Sequence, residues 1–130
     1  MCGITFLMLA LVIGSVAVPV EAWADPILNE VCYDGTGTDA DEAFTEIYGT
    51  PGLSLKGWSL WGVNGADGKV YRKLSLTGAT IPSDGLLVIA TTSAKGQVLS
   101  ARDFTAKIDW QNGPDAIRLV LPDPDGSDPD

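Results

Sequence analysis

The stretch Asp109-Trp110-Gln111-Asn112-Gly113-Pro114-Asp115-Ala116-Ile117-Arg118-Leu119 decides the fold class, because a polar turn runs directly into an alternating apolar strand. Gly, Pro, Asn and Asp permit or fix the backbone angles that turns need. Alternation of apolar and polar residues is typical of a strand with one buried face. The same arrangement recurs outward from this stretch through most of the chain.

Six short runs rich in β-branched and aromatic residues are predicted as strands. They are Ile27–Tyr33, Phe44–Tyr48, Gly57–Trp61, Lys69–Leu74, Leu86–Ala90 and Ala116–Leu121. Turn residues separate them, and no segment after residue 24 has a helical period. Many short strands with frequent turns predict an all-β sandwich or a small barrel.

Alternation along the strands predicts which side chains face the core. Trp58 and Leu60 share one face of the third run and are expected in the core, whereas Trp61 points the other way, near the rim. The fifth run is apolar on both faces, which is typical of a central strand covered on both sides. Residues 98–101 are expected to form a short covering turn or strand.

Two further motifs, in this order along the chain, support a family resemblance. Leu55-Lys56-Gly57-Trp58-Ser59-Leu60 and Ile81-Pro82-Ser83-Asp84-Gly85 precede the opening stretch. Ile27–Val31 and Glu42–Tyr48 match the family's first two strands, with Gly49 where an Asn commonly follows. Residues 26–121 thus resemble the lamin tail domain family. The resemblance implies an immunoglobulin-like β-sandwich that serves as a binding or structural module and is not an enzyme. It also implies export, since the similar bacterial members are exported, often beside nuclease or phosphatase domains.

The N-terminus has the layout of a secretory signal peptide over residues 1–24. The run from Ile4 to Val18 is apolar, Pro19 follows, and small residues then allow cleavage after Ala22 or Ala24. About 20 apolar residues are needed to span a bilayer, so this shorter run favours a cleaved leader over a membrane anchor. No Lys or Arg precedes the apolar run, which a start codon placed too far downstream would explain.

The sandwich is predicted over residues 25–121, and an acidic, Pro-rich tail follows at residues 122–130. Such a composition cannot form a core strand. The resemblance implies one more strand after the Ala116–Leu121 run. Either the chain is truncated within a turn, or the sandwich lacks its last strand and has an exposed edge there.

The charge balance argues against nucleic acid as a partner. The chain has 8 basic and 17 acidic residues, and removal of a leader containing only Glu21 leaves 16 acidic ones and a net charge of −8. Non-specific DNA binding depends on clustered Lys and Arg, and the densest cluster is Lys69, Arg72 and Lys73. A local positive stripe requires that these residues share a sheet face with Arg118.

Cysteine and histidine usage limits the chemistry. Cys32 remains alone once Cys2 leaves with the leader, so no internal disulfide is predicted. Cys32 is then either a small buried hydrophobic residue or the site of an intermolecular disulfide. The chain contains no histidine, the usual base that activates a Cys or Ser nucleophile.

Two acidic clusters are candidate Ca²⁺ ligands, because Ca²⁺ prefers carboxylate oxygens. The weak candidates are Asp34, Asp39, Asp41 and Glu42, and a second group lies at Asp123, Asp125, Asp128 and Asp130. Neither cluster has the full EF-hand pattern. This favours the interpretation that both are solvated acidic loops, and the sequence predicts no required cofactor.

Other candidate site residues are two glutamates and three aromatics. Glu30 and Glu46 each lie within an apolar strand and suggest a carboxylate pair for glycoside hydrolysis. The alternatives are edge-facing glutamates or glutamates paired with Arg72 or Arg118. Trp61, Tyr71 and Trp110 either present an aromatic platform to a partner or close the ends of the core.

The sequence therefore predicts an exported, non-catalytic module for protein or surface interaction. One alternative is an accessory domain that assists a separate nuclease or phosphatase, with weak nucleic-acid or Ca²⁺ binding. Another is a hydrolase using the two glutamates.

Overall fold

The computed structural model describes residues 24–123, which form two facing β-sheets. The elements in chain order are β1 (Ile27–Cys32), α1 (Asp39–Glu42), β2 (Phe44–Tyr48), β3 (Ser59–Val63), β4 (Val70–Ser75), β5 (Leu86–Ala90), α2 (Gly96–Ala101), β6 (Phe104–Thr105) and β7 (Ala116–Val120). The predicted all-β sandwich is confirmed. The predicted leader and the end of the acidic tail, residues 1–23 and 124–130, lie outside the described residues.

One sheet has four strands in the order β1-β2-β5-β6, and the other has three in the order β4-β3-β7. All pairs are antiparallel except β5 with β6. All six strands predicted from the sequence are present, with small shifts at their ends. The third begins two residues late, at Ser59, because Gly57 has a φ of 79° within the turn that precedes it.

The core lies between the sheets. Its large, fully buried apolar side chains come from strands of both sheets and from the connecting loops, namely Ile47, Leu55, Leu60, Leu76, Ile81, Leu87, Ile89 and Ile108. Leu60 is buried as predicted, and Trp58 is half-buried against this cluster. Apolar burial of this kind is the main source of folding free energy for such a domain.

The sequence patterns missed two short helices. α1 has 4 residues and α2 has 6, which is too short for a 3.6-residue period to stand out. Residues 98–101, predicted as a covering turn or strand, belong to α2, which packs near β5. β5 is a central strand as predicted, because it lies between β2 and β6. Its outer face is covered only in part, since α2 contacts it while Val88 stays half-buried. No helix of residues 24–123 has the length and apolar character that a membrane crossing requires.

The three-stranded sheet ends at β7 within the described part of the chain. β7 pairs with β3 on one side, and no other strand of residues 24–123 pairs with its second side. β1, the edge of the other sheet, lies nearby. Within residues 24–123, the second side of β7 is thus an edge of the three-stranded sheet.

Candidate functional site

A row of three side chains crosses the outer face of the three-stranded sheet. Leu60 points into the core, so its neighbour Trp61 points outward. Trp61 is directly opposite Lys73 on β4 and Arg118 on β7. Because cross-strand partners share a face, the register places the indole between two cations. Lys73, Trp61 and Arg118 are called the Trp61 row below.

The Trp61 row contains groups that are available to contact a partner. The Lys73 ammonium lies 4.4 Å from the centre of the Trp61 ring, a distance suited to a cation–π contact. The indole nitrogen of Trp61 is buried and has no hydrogen-bond partner among residues 24–123, so the ring and not its N–H faces a partner. Arg118 is exposed and forms no ion pair with any residue of the range 24–123. The row therefore offers an aromatic ring and a free guanidinium side by side.

The other basic residues of the predicted cluster do not join this row. Arg72 donates to the Asp109 carboxylate at 2.5 Å and to the carbonyl of Lys107 at 2.8 Å. Lys69 lies 3.4 Å from the Asp67 carboxylate in the β3–β4 loop. Arg72 thus pairs with Asp109, so the alternative in which it pairs with Glu30 or Glu46 is wrong. The positive stripe consists of two cations only.

Tyr71 and Trp110, the other two aromatic candidates, lie elsewhere. Tyr71 is the extra residue of a bulge in β4; its ring packs against Gly62, and its hydroxyl accepts from the backbone N–H of Gln111 at 3.2 Å. Trp110 is 4% exposed, and its indole nitrogen donates to the Thr45 hydroxyl at 2.9 Å. The three candidates therefore do not form one platform, and Trp61 is the one on an outer sheet face.

Glu30 and Glu46 come together on the outer face of the four-stranded sheet. They are direct partners across β1 and β2, while Asn29 forms a bulge beside them. The Asn29 amide donates to Glu46 at 2.6 Å, and no Lys or Arg of residues 24–123 pairs with either carboxylate. Like charges directly opposite each other destabilise a strand pair. These two residues are called the acidic pair below.

A shallow groove of about 230 Å³ adjoins the acidic pair. Phe44 and Val88 contribute from the sheet, and Val98 and Ala101 contribute from α2. Val88 is the cross-strand partner of Glu46, so the carboxylates and the apolar floor are neighbours. Sequence patterns could not reveal this groove, because it depends on where α2 packs.

The acidic candidates for Ca²⁺ are spread around α1 and bonded to other groups. Asp41 lies 2.6 Å from the Lys95 ammonium, Asp39 accepts from the Asn112 amide at 3.0 Å, and Glu42 accepts from the Thr36 N–H at 2.6 Å. Among the residues that the structure describes, no three His, Cys, Asp or Glu side chains are placed to hold a metal. Asp34 is exposed near the end of β1, Asp123 is half-buried, and Asp125, Asp128 and Asp130 lie outside the described range.

Cys32 lies at the end of β1, two residues from Glu30 and on the same face. It is a free thiol and is half-buried. Burial raises the pKa of the Cys32 thiol above its usual range, and the nearby Glu30, Glu42 and Asp34 carboxylates raise it further. A raised pKa leaves little thiolate, which is the nucleophilic form.

Neither family models nor curated proteins nor solved structures give a match to this chain.

Proposed function

We propose that this protein is an exported, non-catalytic interaction module with an immunoglobulin-like β-sandwich of the lamin tail type. It binds a protein or cell-surface partner through the Trp61 row. The fold class, two sheets with few helices, is compatible with that family type. Export is inferred from the apolar leader pattern of residues 1–24.

The observation that carries the proposal is the composition of the Trp61 row. Aromatic and Arg side chains dominate the energetics of protein interfaces, because they bury a large area and form several directed contacts. Trp61 lies between Lys73 and Arg118, and the guanidinium of Arg118 has no acidic partner within residues 24–123. A partner with an acidic or polar surface around an apolar spot fits this row.

The surroundings of the acidic pair favour a non-catalytic role. Glu30 and Glu46 are direct partners on adjacent strands, and the Cβ atoms of such partners lie about 5 Å apart. A retaining glycosidase also holds its two carboxyl groups close together, at about 5–5.5 Å. Catalysis also needs a general acid and a nucleophile whose environments differ, within a site that excludes water. Here both carboxylates lie beside an open, shallow groove, and among residues 24–123 the Asn29 amide is the side chain that donates to one of them, Glu46.

Retention at the cell surface tests the proposal. We expect Lys73→Gln/Arg118→Gln to shift the protein from the surface fraction to the medium, whereas Lys56→Gln/Lys107→Gln should not. The control removes the same charge from two exposed residues outside the row. Equal surface retention of wild type and both variants, at equal melting temperature, would contradict the proposal.

A second candidate function is an accessory domain for a separate nuclease or phosphatase. The specific observation in its favour is that Lys73 and Arg118 share one sheet face with an aromatic ring. Two cations supply few phosphate contacts, so we expect duplex DNA binding no tighter than about 10⁻⁴ M near physiological salt. Fluorescence anisotropy checks this: micromolar binding that falls steeply with salt and is lost in Arg118→Glu would promote the accessory function.

A further inference from the structure

No cation in the described part of the chain neutralises the two charges of the acidic pair. Glu30 and Glu46 face each other across β1 and β2, and the described residues supply one neutral amide and no cation to them. Such a pair costs folding free energy. A cation brought by a binding partner would remove this repulsion and gain charge-assisted hydrogen bonds from two carboxylates at once.

The groove next to the pair specifies the rest of the partner's chemistry. Its walls from Phe44, Val88 and Val98 are apolar and half-buried. Burying an apolar side chain there is favourable in proportion to the area removed from water. The groove and the acidic pair together fit a cation that stands directly beside an apolar ring.

The surface of this same chain carries that combination on its opposite sheet. In the Trp61 row, Arg118 and Lys73 flank an indole, and Arg118 has no ion-pair partner within the described range. The planar guanidinium can donate to two oxygens at once, which suits two neighbouring carboxylates better than a single ammonium does.

We propose that the partner of the Trp61 row is a second copy of this chain, bound at its acidic pair and groove. Arg118 of one copy bridges Glu30 and Glu46 of the next, and the Trp61 ring covers the groove between Val88 and Val98. This inference rests on the proposed function, because it names the occupant of the same row.

The placement of the two surfaces determines the kind of assembly. The Trp61 row and the groove lie on opposite outer faces of the sandwich, so each copy can use both surfaces at once. Such a head-to-tail contact is heterologous and extends the assembly instead of closing a two-fold dimer. The net charge, −9 for the whole chain and −8 without the leader, makes copies repel at long range, so the contact should be weak and concentration-dependent.

Sedimentation equilibrium of the purified protein, up to millimolar concentration, tests the proposal. Wild type should show a mass that rises with concentration. Glu30→Gln/Glu46→Gln and Lys73→Gln/Arg118→Gln should each weaken self-association by about tenfold or more. The control Asp67→Asn/Lys69→Gln removes an exposed ion pair outside both surfaces and should associate as wild type does.

Mixing the two deficient variants gives the decisive result. One keeps an intact Trp61 row and the other an intact acidic groove, so the mixture should form a 1:1 dimer that grows no further. A monomer at all concentrations, association that neither double variant weakens, or a mixture that stays monomeric would each overturn the proposal. A monomer whose surface retention still depends on the Trp61 row would overturn this inference and leave the proposed function standing.

One more probe, a short peptide of alternating Arg and Leu, tests whether the groove binds a different partner instead of a second copy. If this peptide bound the wild type but not Glu30→Gln/Glu46→Gln, and the protein remained monomeric, the groove would take a basic segment of another protein. That outcome overturns the second-copy proposal.

Discussion

Trp110 shows how one residue can have an apolar and a polar role at once. Its ring is buried with the core cluster, and its indole N–H is satisfied by the hydroxyl of Thr45, which is itself fully buried. A buried polar group that loses its partner pays its full desolvation cost. The pair thus fixes the loop before β7 to the inner face of β2.

We predict that Trp110→Phe lowers the free energy of unfolding by about 1–3 kcal/mol, mainly because the Thr45 hydroxyl is left unpaired. Thr45→Val should lower the free energy of unfolding by a similar amount, because it leaves the indole N–H of Trp110 unpaired. The double variant removes both polar groups and should cost less than the sum of the two. Urea unfolding of the four proteins measures this, and strict additivity would show that the hydrogen bond does not couple them.

The raised pKa of Cys32 gives a prediction on reactivity. Below the pKa, the thiolate fraction falls as the pKa rises, so at pH 8 iodoacetamide should alkylate Cys32 more slowly in the folded protein than in the urea-unfolded chain. Glu30→Gln removes a carboxylate that raises this pKa and should increase the folded rate. A Cys2→Ser background isolates the signal, and equal rates in both states would show that burial does not protect the thiol.

At the scale of elements, close contacts between loops fix the position of the strands. The β3–β4 loop meets the loop before β7 at Gly65, where an added Cβ would lie 1.5 Å from the Pro114 carbonyl oxygen. The Gly65 N–H also donates to the Asp115 carboxylate at 3.0 Å. The two loops therefore hold β7 in register on β3.

We predict that Gly65→Ala destabilises the protein by about 1–3 kcal/mol, the usual cost of overpacking against atoms that cannot move freely. Gly113→Ala is the matched control. It lies in the opposing loop, its φ is not positive, and its added Cβ would find its nearest neighbour 3.7 Å away. Thermal melts should show a clear loss for the first and a small change for the second. Equal melting temperatures would mean that the loops separate at no cost.

The elements also show where sequence reasoning succeeds and stops. Strands such as Phe44–Tyr48 were predictable because alternation and turn residues are local signals. α2 and the two-residue β6 were not, since their positions depend on packing against β5. Glu30 and Glu46 were recognisable as unusual, but their direct pairing follows from register, which a single sequence does not contain. The same holds for Arg118 beside Trp61.

At the scale of the whole molecule, the acidic charge bears on Ca²⁺. The carboxylates around α1 are bonded to Lys95, Asn112 and Thr36, so a metal would have to break existing contacts. We predict that millimolar Ca²⁺ changes the melting temperature by a degree or two at most. A micromolar site would add about 4 kcal/mol at a thousandfold excess of ligand. A large rise that Asp41→Asn abolishes would identify these carboxylates as ligands.

The pairing of β3 with β7 has a consequence for the order of folding. β7 is the last described strand, so the three-stranded sheet cannot be completed until nearly all of the chain is available. Pairing of strands far apart in sequence is slow, because loop closure costs entropy before the contacts repay it. A newly made chain thus stays without its second sheet for some time. If the proposed leader directs export, an unfolded polypeptide would have time to cross a membrane before the sandwich closes around Leu60.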